Sequence, residues 1–328
     1  MPAAAAAPLR RVVIVAVPGA QSLDVTGPLE AFAVSGRVGA APRPRYQVVV
    51  ASVGGGVVTC SSGLGLVTVA LGRLRPTRRD TVVVAGASDA GIRAAIADAA
   101  LEAWLRRAAP VVERLASVCS GAFVLARAGA LDGHRVATHW SACDALARYC
   151  PRATVDRDAI FVRAGRVWTS AGVTTGIDLA LAMVEDDHGR ALADAVAAQL
   201  VLYARRPGYQ SQWSDALLAQ TRGDDTLAPV IAWARLHLRG LDVPTLARKA
   251  GLSARTLHRR CADTVGTTPA KLIERLRVEH ARGLLARRRL AAKQVAAASG
   301  FVDAAQLARA FRRTLGVRPR DYRLLFAA

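Results

Sequence analysis

The sequence predicts an α/β domain built on a parallel sheet, followed by an all-α domain with two helix-turn-helix units. Three observations lead there. Short apolar runs alternate with helical stretches through the first two thirds of the chain. The last hundred residues repeat themselves at an offset of 49 to 50 positions. Charge divides near the same point: residues 230–328 hold 21 Lys and Arg against 6 Asp and Glu, while residues 1–229 hold 24 against 19.

The whole chain has 328 residues and a formal charge of +20, enough length for two domains of ordinary size. Apolar residues at 52% and charged residues at 21% exclude a disordered chain. No apolar run approaches the roughly 18 residues of a membrane span. The opening MPAAAAAPLRR lacks the pattern of a secretion signal. Five scattered cysteines, none in a C-x-x-C pair, suggest neither a disulfide framework nor a zinc site. A reducing cytoplasm is the expected compartment. The expected division is a flexible tail over 1–9, a first domain over 10–205, a linker over 206–228 and a second domain over 229–328.

In the first domain, Arg11–Val17 reads as a strand and Leu23 to Val34 as an amphipathic helix. Tyr46–Ser52 and Thr81–Ala85 are further strands. Ile92–Arg107 has helical spacing. Val111–Val118 is a fourth strand that runs through Cys119-Ser120-Gly121 into the helix Ala122–Arg127. Ala159–Val162 and Arg166–Trp168 flank Gly165 and are expected to pair. Helices follow over Thr174–His188 and Arg190–Tyr203. Strands alternating with helices imply a parallel sheet covered on both faces.

The basic third divides into two copies of helix, glycine turn, helix. Leu246-Ala247 aligns with Val295-Ala296, Gly251-Leu252 with Gly300-Phe301, Leu257 with Leu307, and Arg259 with Arg309. Asp242 and Ser253 are expected caps in the first copy, whereas Leu290-Ala291 offers none in the second. Leu257, Cys261 and Val265 make an apolar stripe, as do Leu307, Phe311 and Leu315. Arg255, His258, Arg259, Gln306, Arg309 and Arg312 lie off those stripes. A helix-turn-helix with a basic outer face can lay its second helix in the major groove. There Arg can bind guanine and Gln can bind adenine with paired hydrogen bonds. Pro269 to Arg287 reads as one connecting helix about 28 Å long, against about 34 Å between successive groove faces.

These residues resemble the AraC/XylS-type DNA-binding domain from about Leu227 to Phe326. The matching segments are GLSARTLHRRC at 251–261, GTTPAKLIERLRVEHARGLL at 266–285 and ASGFVDAAQLARAFRRTLGVRPRDYR at 298–323. By that likeness the base-facing residues are Arg255, His258 and Arg259, then Ala304, Ala305, Gln306 and Arg309. Ala304 and Ala305 depart from the polar residues common there, so the second helix reads less sequence or touches thymine methyls.

Ser117–Gly121 has a cysteine where a strand turns sharply into a helix. That place lowers a thiol pKa and presents a nucleophile, although a buried small residue fits the same pattern. Residues 10–205 resemble the ThiJ/PfpI group, a flavodoxin-like, glutamine-amidotransferase-like fold. The likeness rests on VPGAQSLDVTGPLEAF at 17–32, ASVCSGAFVLARAGALDGHRVATHW at 116–140 and RVWTSAGVTTGIDLAL at 166–181. With the C-terminal domain it resembles the GlxA-type AraC-family regulators. The resemblance implies an elbow cysteine at Cys119, a carboxylate at Asp24 and a histidine at His139, with Glu30 in the same block. Gly86-Ala87 would stand at an oxyanion position, where Ala87 replaces a usual glycine, and Ser120 replaces a usual threonine. Both departures favour a receptor over a catalyst.

Glu185-Asp186-Asp187-His188 reads as a solvated helix end rather than a metal site. No cofactor motif is present. The expected function is a transcription regulator that binds an operator in double-stranded DNA and senses a small-molecule effector, working as a homodimer, with RNA polymerase as partner if it activates. Two alternatives use the same cysteine: an amidohydrolase or isocyanide-hydratase-like enzyme with Cys119 as nucleophile, and a redox sensor through Cys119.

Overall fold

The computed structural model describes residues 9–39, 42–202, 205–206, 208, 212, 226–287, 290–315 and 317–326. Residues 1–8 of the expected tail and most of the expected linker over 206–228 lie outside them. The chain divides into two compact units, residues 1–208 and 209–328.

The first unit is an eight-stranded sheet in the order β3-β4-β2-β1-β5-β6-β10-β9. The strands are β1 (Arg10–Val15), β2 (Tyr46–Ser52), β3 (Gly56–Thr59), β4 (Gly65–Ala70), β5 (Asp80–Val84), β6 (Arg114–Val118), β9 (Phe161–Ala164) and β10 (Val167–Ser170). A separate pair holds β7 (Arg135–Val136) and β8 (Thr154–Val155). β1, β2, β5, β6 and β10 run parallel, with Val13 opposite Val49 and Val82. β9 and β10 form the expected hairpin around Gly165. The exposed β3–β4 hairpin was not expected, because Val57 and Val67 alternate with too few apolar neighbours to mark strands.

Side chains alternate across the sheet, so neighbouring valines serve opposite cores. Val12, Ile14, Val83 and Val118 pack with α1 (Ser22–Ser35), α6 (Thr175–His188) and α7 (Arg190–Gln199). Val13, Val15, Val82 and Val84 face α2 (Asp89–Ala97), α3 (Ala99–Ala108), α4 (Gly121–Arg127) and α5 (Cys143–Tyr149). A fully buried side chain such as Ile14 contributes about 2 kcal/mol.

Three expectations are corrected. The stretch 92–107 is two helices, because the Asp98 carboxylate accepts from the N–H groups of Ala100 and Leu101 and starts a new helix. The helix expected over 190–203 is described as far as Gln199, and Tyr203 lies outside the described residues. The acidic end of α6 is not solvated throughout. Asp187 is buried, accepting from the Arg114 guanidinium and, at 2.7 Å, from the Tyr46 hydroxyl.

The second unit is all helical: α8 (Leu227–Leu236), α9 (Val243–Lys249), α10 (Ala254–Val265), α11 (Pro269–Arg287), α12 (Ala292–Ala298), α13 (Ala304–Leu315) and α14 (Pro319–Phe326). The nineteen-residue α11 matches the expected connector. Leu272, Ile273 and Leu276 on its first half enter a core with α8, α9 and α10. Val278, Ala281 and Leu285 on its second half enter another with α12, α13 and Tyr322. Each helix-turn-helix thus has its own small core on a shared helix.

Candidate functional site

Four strand ends converge in the first unit. Asp24 follows β1, Gly86 follows β5, Cys119 follows β6, and Val173 follows β10. These four strands are parallel neighbours, so their carboxyl ends open on one edge, where α/β sheets bind ligands. Cys119 has φ +56°, a left-handed conformation that a non-glycine residue adopts at a strained turn. Gly172 leaves room for it, since a Cβ there would stand 2.3 Å from Cys119 Cβ and 2.9 Å from its sulfur. A Cβ on Gly86 would stand 2.6 Å from Asp24 Oδ2 and 2.7 Å from Cys119 Cβ. Neither position tolerates a side chain.

Asp24 is wholly buried. The Gly86 N–H donates to its Oδ2 at 3.0 Å, and the Val173 N–H donates to its Oδ1 at 2.7 Å. Burial still pushes the carboxyl up to about 6, against the weaker pull of the two amides and of Cys119. The Cys119 thiol is pushed up to about 12, first by burial and then by the charge of Asp24. This corrects the expectation of a thiol favoured as thiolate. The Ser120 amide pulls the other way, but burial beside a carboxylate outweighs it.

Ser120 faces Ala87. Its hydroxyl donates to the Ala87 carbonyl at 3.1 Å, and the Ala87 N–H donates back to Oγ at 3.1 Å. Thr138 Oγ1 donates to the Cys119 carbonyl at 2.9 Å. The structure therefore brings Cys119, Asp24, Gly86 and Ser120 together. It does not join His139 to them by a hydrogen bond. The His139 ring pairs through Nδ1 with Ser141 Oγ at 2.8 Å and packs on Trp140, and burial lowers its pKa. Glu30 is a correction: it lies on the exposed face of α1, paired with Arg37 at 3.5 Å, while the buried face carries Asp24.

In the second unit, Asp242 and Ser253 cap α9 and α10 as expected. Leu257 and Cys261 are fully buried, and Arg255, His258 and Arg259 are exposed on the same helix. In the second copy, Leu307 and Phe311 are buried, and Ala305, Arg309 and Arg312 are exposed. Ala304, expected to face bases, is half-buried. Gln306 is a correction. Its Oε1 accepts from the Val302 N–H at 2.8 Å, and its own N–H donates to Asp303 Oδ1 at 2.6 Å. Asp303 caps the helix through the Gln306 N–H, and the Gln306 side chain folds back onto the Val302 N–H at the helix start, away from the pose that a paired bond to adenine needs. Gln294 caps α12, its Oε1 accepting from the Ala291 N–H at 2.9 Å. Arg313 ties α13 to Glu274 on α11.

Residues 10–186 match the DJ-1/PfpI family, and residues 246–324 match a helix-turn-helix domain. The chain is 30% identical over 304 residues to the HTH-type transcriptional regulator CdhR of Pseudomonas aeruginosa, covering 92% of this chain and 88% of that protein. It is 32% identical over 285 residues to the HTH-type transcriptional regulator GlxA of Rhizobium meliloti, covering 86% of each. The chain belongs to the DJ-1/PfpI family. Its helix-turn-helix half makes it a DNA-binding transcription regulator of the AraC type. The fold of this DJ-1/PfpI unit is shared with a THiJ/PfpI family protein from Pseudomonas syringae, at a TM-score of 0.56 and 24% identity, covering 75% of this chain and 92% of that one. Among the described residues, no helix is long and apolar enough to cross a membrane, and no cluster of side chains is arranged to hold a metal ion.

Sequence reasoning missed Gly172, Val173 and Thr138. The signal available was the glycine in SAGVTTG directly after a strand, the usual mark of close backbone approach.

Proposed function

We propose that the DJ-1/PfpI unit is a receptor for a small-molecule effector, and that the helical unit reports its state by binding an operator. The observation that supports the receptor reading is that two backbone amides beside the sulfur, on the segment between β5 and α2, are already bonded. Gly86 N–H is taken by Asp24, and Ala87 N–H is taken by Ser120. Acyl transfer or hydration through Cys119 needs donors free to meet a developing oxyanion. A thiol pushed up to about 12 also offers little thiolate at neutral pH. The same property argues against oxidation sensing, which needs an exposed thiolate. Cys119, Asp24, Gly86 and Ser120 are the effector-sensing residues in this reading, and His139 borders them through the loop that carries Thr138.

Arg255, His258 and Arg259 read bases in one major groove. Arg309 reads in the next, with Ala305 beside it and Arg312 on phosphate. Among the described residues, none of Arg255, Arg259, Arg309 and Arg312 is held in an ion pair or hydrogen bond, which leaves their donors for DNA. A homodimer places two such units on one operator, and RNA polymerase is the further partner of an activating complex. Work in the cytoplasm fits five free cysteines.

Sequencing of DNA recovered with the full chain identifies the operator and the genes beside it. Metabolites of those genes are then tested for their effect on operator affinity. A metabolite that shifts affinity in the wild type but not in Cys119→Ala supports the receptor. Repeated turnover of that metabolite by the wild type, absent in Cys119→Ala, would establish the enzyme instead.

A further inference from the structure

Beside the elbow lies a groove of about 690 Å³ that the effector reading leaves without an occupant. Its volume falls within the usual range of small-molecule sites. Its walls come from α2, α4, α5 and the turn before α5. Ile92, Ile96, Phe123 and Tyr149 supply the apolar surface, and the rings of Phe123 and Tyr149 meet at 5.7 Å.

The charged lining is Asp89, Arg93 and Arg148. Two arginines thus stand against one aspartate in the lining. Neither Arg93 nor Arg148 makes an ion pair or hydrogen bond among the described residues. Other arginines of the first unit are spent on acids: Arg10 and Arg114 on the Asp187 cluster, Arg11 on Asp80, Arg127 on Glu102 and Arg135 on Asp156. Arg148, among the described residues, feels only the more distant charge of Asp144, itself paired with Arg157. Guanidinium groups hold carboxylates through paired, charge-assisted hydrogen bonds. Ser120 also lines the groove. It adjoins Cys119 in sequence and grips Ala87 at the lead into α2. A molecule seated in the groove therefore touches Ser120, whose pair with Ala87 stands next to Cys119 in the chain.

We propose that this groove binds a small organic monocarboxylate with an apolar body, the carboxylate meeting Arg93 and Arg148 and the body lying on Ile92, Ile96, Phe123 and Tyr149. It rests on reading the first unit as a receptor, and it names the chemical class that the receptor takes.

Calorimetric titration of the full chain with phenylacetate, phenylacetamide and phenethylamine tests it. Phenylacetate binds saturably, one per chain, and the neutral and cationic probes bind about tenfold more weakly or not at all. Arg93→Gln with Arg148→Gln weakens phenylacetate by about tenfold or more and leaves phenylacetamide unchanged. Both arginines are exposed, so circular dichroism of that variant is expected to match the wild type. Ala145→Glu adds a carboxylate to the lining and weakens phenylacetate independently. Equal binding of the acid and the amide would overturn the proposal, as would full phenylacetate affinity in the double variant or no binding of phenylacetate to the wild type. Phenylacetate that fills the groove without changing operator affinity would leave the anion site standing and overturn the receptor reading. An effector response through Cys119 with no anion binding would do the reverse.

Discussion

Arg206 grips Asp178 through both carboxylate oxygens. Its guanidinium donates to Oδ2 at 3.0 and 2.6 Å, and its backbone N–H donates to Oδ1 at 3.1 Å. The same guanidinium donates to Thr174 Oγ1 at 2.8 Å. Thr174 follows Val173, whose N–H holds Asp24. The segment that ends the first unit is therefore tied to the loop that shapes the Cys119 site. Asp178 is 5% exposed and Arg206 34%. Arg206→Ala would strand a buried carboxylate, and a loss of about 2 kcal/mol in the unfolding of the first unit is expected. Arg206→Lys is expected to recover little, because one ammonium cannot reproduce the fork. Urea unfolding of the two variants checks this; wild-type stability in Arg206→Ala would mean that the clamp is solvated and idle.

A second expectation follows from the burial of Asp24. Its carboxyl is raised to about 6 in the folded chain, against about 4 when unfolded. The folded state therefore holds the proton more tightly. That contribution is fully present below about pH 4 and is lost as pH rises through about 6, a total of about 3 kcal/mol. Asp24→Asn carries no titrating group and removes this component. The difference in unfolding free energy between wild type and variant, followed across that range, is expected to fall with rising pH. A difference that stays flat would show that Asp24 titrates normally.

Chemical reactivity of Cys119 offers a third. With its thiol pushed up by burial and by Asp24, alkylation by iodoacetamide near neutral pH is expected to be slow. Asp24→Asn removes the neighbouring charge, and each unit by which the thiol pKa then falls raises the thiolate fraction about tenfold. Mass spectrometry of the Cys119 peptide reads the rate. Faster alkylation in the wild type than in the variant would reverse the electrostatic argument.

The legible features were those that repeat or stand at strand ends. Leu257, Cys261, Leu307 and Phe311 could be read as buried stripes because a helix repeats its face every three to four residues. Cys119 was visible because a strand, a turn and a helix adjoin in the chain. Gly172 and Val173 were not, since they act 53 and 54 residues downstream through missing volume and a backbone N–H, which no side chain announces. Glu30 was misjudged because it shares a sequence block with Asp24 while α1 turns it to solvent. Gln306 was misjudged because one amide can read adenine or cap a helix; Asp303 three residues earlier is the mark of the cap.

The two recognition helices are therefore expected to differ. Arg259→Ala should cost about 1–3 kcal/mol of operator binding and relax base preference in one groove. Gln306→Ala should instead lower the stability of the helical unit by about 1 kcal/mol and leave base preference as it was. Binding to a library of single-base operator variants separates the two effects. A base preference lost with Gln306 would show that DNA releases its amide from Val302.

The last expectation concerns the helical unit alone. Its two cores draw only on helices from Leu227 onward, and α11 joins them. Residues 226–328 are thus expected to fold as a fragment. The fragment carries 21 Lys and Arg against 6 Asp and Glu over residues 230–328. DNA binding by such a surface releases condensed counterions, so affinity should fall steeply as salt rises, by about 0.9 in log affinity per log salt for each phosphate neutralised. Operator affinity should lie below that of the full chain if the proposed dimer forms through the first unit, because it would place a second helical unit at high local concentration. Circular dichroism and binding isotherms at several salt concentrations check each part. A helical fragment with a flat salt response would remove the phosphate contacts from the account, and full operator affinity in the fragment would remove the dimer.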